Sequence, residues 1–434
     1  MSGLPQATAA SEAEFTSAKR AGGLGRAANH PQATAASVAG FTPAKRAGGL
    51  GGAAQHPAEE IGLYVHIPFC EAKCTYCHFA IDPRRPDEAR QERYLAALLA
   101  EMDAAVTGRA DTLYFGGGTP SLLSPDRLAR LIGRARSRFT LPKDAEVTLE
   151  ANPRDLDQEG YRKVRAVGVN RLSLGVQSLD DEVLRAMGRL HTAQDARLAV
   201  DAARAVGVEN LSVDLILGWP GESAERWRRA LDGVVSMAPD HVSVYVLEVE
   251  GKTLLAHRAR RGSLELPEDD LVADLHPMTV DVLGEAGIDR YEISNFARPG
   301  RESRHNGKYW DDAPFLGFGL SAHSYRGERR WWNRDTYGAY CGAVESAGPA
   351  AAVAGDRRLS EREHIGEAAF TALRRREGIH LGRFRERYGV DPTAPYAPSL
   401  RDPFDAGLLE VVEGCLRLTE RGVLLSNEVF RAFV

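Results

Sequence analysis

The chain has 434 residues, enough for two or three domains, and its hydrophobic (43%) and charged (26%) fractions are ordinary for a globular protein. A formal net charge of −5 gives no basic field, so no nucleic-acid partner is expected. No stretch approaches the ~20 apolar residues of a transmembrane helix and the N-terminus lacks a secretory apolar core, so a cytoplasmic protein is expected.

The chain opens with a duplication. Residues 5–30 (PQATAASEAEFTSAKRAGGLGRAANH) are followed at once by 31–56 (PQATAASVAGFTPAKRAGGLGGAAQH). Each copy offers too little apolar surface to offset backbone entropy, so residues 1–58 are expected to be disordered, and no function is assigned to them. A two-copy solenoid, a transit peptide and an upstream start site are the competing readings.

From Ile61 onward, short apolar runs alternate with helical patterns. Strands are expected at Ile61–His66, Thr112–Phe115, Glu146–Glu150, Arg171–Leu174, Leu211–Leu217 and His241–Leu247. Helices are expected at Glu88–Val106, Ser124–Phe139, Asp157–Val167, Ala193–Val206, Ser223–Met237 and Leu271–Ala286, several closed by a glycine. This alternation predicts an α/β fold, a partial (β/α)6 barrel spanning residues 59–300, with its chemistry at the C-terminal strand ends. A connecting segment over 301–358 carries His-Asn-Gly-Lys-Tyr-Trp. Residues 359–434 read as a winged-helix-like α+β domain: a helix over Glu361–Arg376, a strand pair within Leu408–Leu418 and a last helix from Thr419. Arg374-Arg375-Arg376 is read as a solvated helix face rather than a DNA contact.

Five cysteines are present, and three of them, Cys70, Cys74 and Cys77, fall within eight residues. That is no disulfide framework; in a chain of this size it reads as metal binding or catalysis in a reducing compartment. Cys341 and Cys415 read as buried free thiols. Soft sulfur ligands suit an iron–sulfur centre or zinc. A structural zinc needs a fourth ligand. His78 adjoins Cys77 and would chelate awkwardly, and His66 lies within a strand. Three thiolates on a cubane cluster leave one iron open, and the amino and carboxylate groups of S-adenosylmethionine can chelate that iron. An electron from the cluster can then cleave the sulfonium C–S bond.

The spacing Cys-x3-Cys-x2-Cys, with Tyr76 before the last cysteine, resembles the radical-SAM superfamily signature. Tyr-Phe-Gly-Gly-Gly-Thr-Pro (114–120) resembles the glycine-rich strand end that binds the methionine amino group there. Tyr-Val-His-Ile-Pro-Phe-Cys (64–70), Leu-Glu-Ala-Asn-Pro (149–153), Leu-Ser-Leu-Gly-Val-Gln-Ser (172–178) and Val-Asp-Leu-Ile-Leu-Gly-Trp-Pro-Gly (213–221) are similar to the oxygen-independent coproporphyrinogen III oxidase group. Tyr-Glu-Ile-Ser-Asn-Phe-Ala (291–297), His-Asn-Gly-Lys-Tyr-Trp (305–310) and Leu-Gly-Phe-Gly-Leu-Ser-Ala-His (316–323) are similar to its HemW-type heme chaperone branch. The resemblance runs from about Gly62 to the C-terminus.

The resemblance implies a [4Fe–4S] cluster on Cys70, Cys74 and Cys77. It implies S-adenosylmethionine contacts from Tyr64, Tyr76, Gly117, Gly118, Thr119, Glu150, Gln177, Arg189 and Asp214. Carboxylates suit ribose hydroxyls or an ammonium, and arginine suits a carboxylate. His66 is either a core hydrogen bonder or part of the site. His305, Asn306, Tyr309 and Trp310 either line a tetrapyrrole pocket, with His305 a candidate heme ligand, or pin the barrel to the next segment.

In this group the dehydrogenases typically carry a further cysteine two residues after the third, and here that residue is Phe79. The chaperone branch is therefore implied: heme bound and delivered to an acceptor protein that the sequence does not name, a membrane-associated one among the candidates. Oxidative decarboxylation of coproporphyrinogen III and radical chemistry on another substrate are the alternatives.

Overall fold

The computed structural model describes residues 60–434 apart from Pro83, Arg85, Glu250 and Lys252. The duplicated extension, expected to be disordered, lies outside the described residues.

Six strands carry the fold: β1 (Ile61–Ile67), β2 (Ala110–Gly117), β3 (Glu146–Ala151), β4 (Arg171–Gln177), β5 (Asn210–Leu217) and β6 (His241–Val246). They pair in chain order, all parallel. A helix lies between each strand and the next, as parallel neighbours require, since no hairpin can join them. Strand alternation sorts the side chains. Leu63 and Val65, Leu113 and Phe115, Val147 and Leu149, Leu172 and Leu174, and Val213 and Leu215 all enter the large core shared with the helices. The residues that alternate with them, among them Tyr64, Tyr114, Glu150, Ser173 and Asp214, face the other side. The inside of the partial barrel is therefore polar.

The barrel does not close. Strand β9 (Phe315–Phe318) adds parallel to β1, and β8 (Asn295–Ala297) adds antiparallel to β6, so both edges are covered. Beyond them lie β7 (Asp289–Arg290), β10 (His323–Arg326), β11 (Arg329–Asn333) and β12 (Val353–Arg358), completing a twelve-stranded sheet. Much of the segment expected to be only a connection is thus sheet.

The helix expected over Ser124–Phe139 runs Pro125–Arg138, and the Ser124 side chain caps it by accepting from the Arg127 N–H. A helix at Asp181–Met187 was not anticipated; at seven residues it is too short to display a period.

The C-terminal unit places helix Glu361–Ala372 before β13 (Ile379–His380), helices Leu381–Tyr388 and Ala397–Asp405, and the hairpin β14 (Leu409–Val412) and β15 (Cys415–Leu418). The sheet order β13-β15-β14 and this succession make a winged-helix-like arrangement with its own core around Phe370, Leu373, Ile379, Leu400, Leu416 and Phe433. The reading of Arg374–Arg376 as a solvated helix face fails at Arg374. The helix stops at Ala372 and Arg374 is 1% exposed. Its carbonyl accepts from Ile293 N (3.1 Å), and Arg376 N donates to the Tyr291 carbonyl (3.0 Å). Its guanidinium lies 4.4 Å over the Trp310 ring and 3.7 Å from Glu292. Local periodicity carries no sign of these partners, because they come from the other unit. Cys341 is buried, whereas Cys415 is only half-buried on the outer side of β15. No helix of the described residues is long and apolar enough to cross a membrane.

Candidate functional site

The three clustered cysteines sit in the loop that follows β1. The loop is tied at both ends: Gly118 N donates to the Ile67 carbonyl (2.7 Å) and Asp82 N to the Pro68 carbonyl (2.9 Å). Between them, Cys77 N donates to the Cys74 carbonyl (3.2 Å), and Thr75 N reaches across to the Met187 carbonyl (2.9 Å). His66 is a pin in this assembly. Its Nε2 is 2.7 Å from the Ala80 carbonyl oxygen and its Nδ1 is 3.1 Å from the Tyr64 hydroxyl.

Two glycines let the β2 end approach this loop. Gly117 has φ +113°, and a Cβ there would lie 2.5 Å from the His66 ring; a Cβ on Gly118 would lie 2.7 Å from the Phe69 carbonyl oxygen and 3.0 Å from Cys70 Sγ. Any side chain at either position would push the cysteine loop off the sheet.

Above the C-terminal strand ends lies a cavity of about 480 Å³, within the range of small-ligand sites. Cys70, Cys74, Tyr76, Cys77, Gly117, Gly118, Thr119, Glu150, Gln177, Arg189 and Asp214 all line it. Tyr64 does not. It is 2% exposed, packed against Tyr114, and faces the barrel interior one strand alternation below His66. Other lining residues escaped the sequence reading: Tyr114, Asn152, Asp155 and Ser173. Asn152 stands two residues after Glu150 in the Leu-Glu-Ala-Asn-Pro motif, which was the available signal. Tyr114 and Ser173 are ordinary strand residues until the barrel turns them inward, and Asp155 lies in the turn after β3.

The cavity walls are organised by hydrogen bonds. Glu150 accepts from the Tyr114 hydroxyl (2.7 Å) and the Gly117 N–H (3.2 Å). Asp214 accepts from the Ser173 hydroxyl (3.0 and 3.1 Å to its two oxygens), and burial pushes its carboxyl up to about 6. Gln177 ends β4 in the left-handed region (φ +65°), where the register against β5 shifts, a local irregularity that redirects the chain at the cavity. Arg189 donates through Nη2 to Asn152 Oδ1 and the Gly175 carbonyl, 2.5 Å each, and through Nη1 to Cys74 Sγ (3.5 Å). Its buried Nε has no hydrogen-bond partner among the described residues. An unsatisfied buried guanidinium N–H facing a cavity fits an anionic ligand group.

Burial, reinforced by the neighbouring sulfurs, pushes the Cys70 thiol up to about 12 and the Cys77 thiol up to about 11. Thiolates here therefore need added positive charge, and iron would provide it. Thr119 Oγ1 (3.6 Å from Cys70 Sγ) and Arg189 supply hydrogen-bond donors to two of the sulfurs. Among the described residues no three His, Cys, Asp or Glu side chains converge on one ion position. A cubane takes its cysteines on three different irons and needs them spread, so the donor set fits a cluster better than a lone zinc.

The His-Asn-Gly-Lys-Tyr-Trp segment lies elsewhere. It forms helix Arg304–Trp310 against the N-terminal strand ends. His305 is 1% exposed, with Nδ1 2.8 Å from Thr112 Oγ1, Nε2 3.0 Å from the Tyr309 hydroxyl, and its backbone N–H on Glu146. His305, Asn306, Tyr309 and Trp310 are absent from the cavity lining. Of the two readings offered for the motif, the structure supports the pin and not the pocket.

The chain has relatives over most of its length. The Radical SAM superfamily matches residues 64–233 and the HemN C-terminal domain matches residues 359–425. The chain is 37% identical over 379 residues to the heme chaperone HemW of Bacillus subtilis, covering 86% of this chain and 98% of that one. It is 39% identical over 381 residues to HemW of Mycobacterium tuberculosis, covering 87% and 95%. A solved structure of the Escherichia coli coproporphyrinogen III oxidase HemN, described as a radical SAM enzyme, matches with a TM-score of 0.76 and 25% identity over 88% of this chain and 91% of that one.

Proposed function

The chain belongs to the HemW branch of the radical-SAM superfamily, whose cofactors are a [4Fe–4S] cluster and S-adenosylmethionine, and on that premise we propose that it is a heme chaperone which binds heme and passes it to an acceptor protein. Phe79 carries the choice of chaperone over oxidase. It lines the cavity two residues after Cys77, where the dehydrogenases of the wider group typically bring another cysteine. A phenyl ring there offers an apolar wall and no thiolate.

In this reading Cys70, Cys74 and Cys77 hold the cluster and the cavity takes S-adenosylmethionine. When bound, the reduced cluster supplies an electron for sulfonium C–S cleavage. The protein's own part is placement. Thr119 and Arg189 steady negative charge on the sulfurs. Glu150, held by Tyr114 and Gly117, presents a carboxylate to an ammonium. Arg189 offers its remaining N–H to a carboxylate. Asp214 and Gln177 address hydroxyls, and Tyr76, braced edge-on by Trp219 at 6.0 Å, flanks an adenine ring. Tyr64 acts at one remove, through His66.

The likeness to HemN favours oxidative decarboxylation as the second reading. One experiment separates them. Anaerobically reconstituted wild type and Cys74→Ser are titrated with heme, then given S-adenosylmethionine, reductant and coproporphyrinogen III. Stoichiometric heme binding without protoporphyrinogen formation is expected. Sustained decarboxylation that Cys74→Ser abolishes would make the protein an oxidase.

A further inference from the structure

We propose that His78 supplies the imidazole that ligates heme iron at the mouth of the cavity; this rests on the chaperone reading above. The position follows from space and from chemistry. A cavity of about 480 Å³ accommodates one ligand of small-molecule size, and the cluster and S-adenosylmethionine claim it. A porphyrin must then lie over the opening. It needs three things there: a ligand for iron, an apolar surface for a macrocycle face, and a cation for its propionates.

The rim offers all three. Leu190 lines the cavity and is 55% exposed, so an apolar side chain stands at the rim. Phe79 and Ile81 line the same cavity. Exposed Arg154 lines it too and donates to the Leu190 carbonyl (2.8 Å), so its positive charge stands beside the exposed leucine. His78 is exposed, lines the cavity, and packs its ring 4.9 Å from that of Phe79.

The other imidazoles are unsuited. Among the described residues the only other histidine on the cavity is His191, which is 4% exposed, bonds the Val176 carbonyl through Nε2 (3.0 Å) and is pushed down to about 4 by burial. His66, His241 and His305 each have both ring nitrogens engaged inside the barrel. His364 is paired with Asp312. His257 and His380 are exposed and His276 and His323 are not, and none of the four lines the cavity. His30 and His56 lie outside the described residues. Ligation takes one ring nitrogen of His78 and leaves the other for a protein partner.

The test uses the full chain with its cluster reconstituted anaerobically. Heme is titrated into wild type, His78→Ala and, as a surface-imidazole control, His257→Ala. The Soret band and low-temperature EPR are recorded, with iron content and S-adenosylmethionine binding measured on each sample. His78→Ala should lose the histidine-ligated spectrum and weaken heme binding by about tenfold or more, with cluster and S-adenosylmethionine binding intact. Free imidazole should restore the spectrum, which no merely structural role of His78 would allow. His257→Ala should match wild type. A wild-type spectrum and affinity in His78→Ala overturns the assignment and leaves the chaperone reading standing. Failure of wild type to bind heme overturns both.

Discussion

At Asp214 the competition is between burial and three nearby hydroxyl or charged groups. Burial wins, pushing the carboxyl up to about 6; the Ser243 and Ser173 hydroxyls and Arg171 oppose it, while Glu150 adds to it. At neutral pH the group is mostly ionised, and an acidic shift of one unit below that value neutralises most of it. If Asp214 holds ligand hydroxyls as a carboxylate, S-adenosylmethionine affinity falls by about tenfold from pH 7 to pH 5, and Asp214→Asn binds weakly and evenly across that range. Equilibrium dialysis on reconstituted protein measures both; a flat wild-type profile would remove Asp214 from the ligand contacts. Gly117 shows a different kind of necessity. Its φ and its 2.5 Å clearance from His66 are both intolerant of a side chain, and the second could not be anticipated, because His66 belongs to another strand.

Among the elements, helix Glu88–Ala104 shows how the outer layers are joined. Near its C-terminal end, half-buried Glu101 accepts from the Tyr340 hydroxyl (2.6 Å), Gly319 N (2.9 Å) and Asn333 Nδ2 (2.6 Å). These donors favour the carboxylate, yet burial outweighs them and pushes the group from 4.5 up to about 7. Between those values the unfolded chain is ionised while the folded chain keeps its proton. The folded state binds more protons there, so stability falls as pH rises, by roughly 3 kcal/mol at most across the window. Below 4.5 both states are protonated and the effect vanishes. Glu101→Gln should flatten the fall in melting temperature between about pH 5 and about pH 7.5, as followed by calorimetry. An unchanged slope would mean that Glu101 stays ionised in the fold.

For the whole molecule, the joint between barrel and C-terminal unit turns on Glu292 and Arg374, both buried, 3.7 Å apart. Burial raises the Glu292 carboxyl and lowers Arg374, so each charge is costly in place. Such a pair is a weak stabiliser against an apolar substitute, but loss of one member strands the other. Glu292→Gln should cost roughly 3–5 kcal/mol, read as a lowered unfolding midpoint, and Glu292→Gln with Arg374→Met should recover most of it by packing a thioether on Trp310. Equal losses in the single and double variants would show that the guanidinium was not stranded.

The sequence by itself determined the cysteine triad, the glycine-rich strand end, the six strand–helix alternations and the winged-helix-like tail. Each is local: a ligand spacing, a turn chemistry, or a period that one stretch of chain displays alone. Tertiary structure decided what those pieces face. It gathered Asn152, Asp155 and Ser173 around the cavity, kept Tyr64 out of its lining, and buried Arg374 under Trp310. It also sent the His-Asn-Gly-Lys-Tyr-Trp helix to the opposite end of the barrel, where His305 is occupied by Thr112 and Tyr309. Burial and partnership across strands depend on packing between distant segments, and no local pattern records which segments will meet.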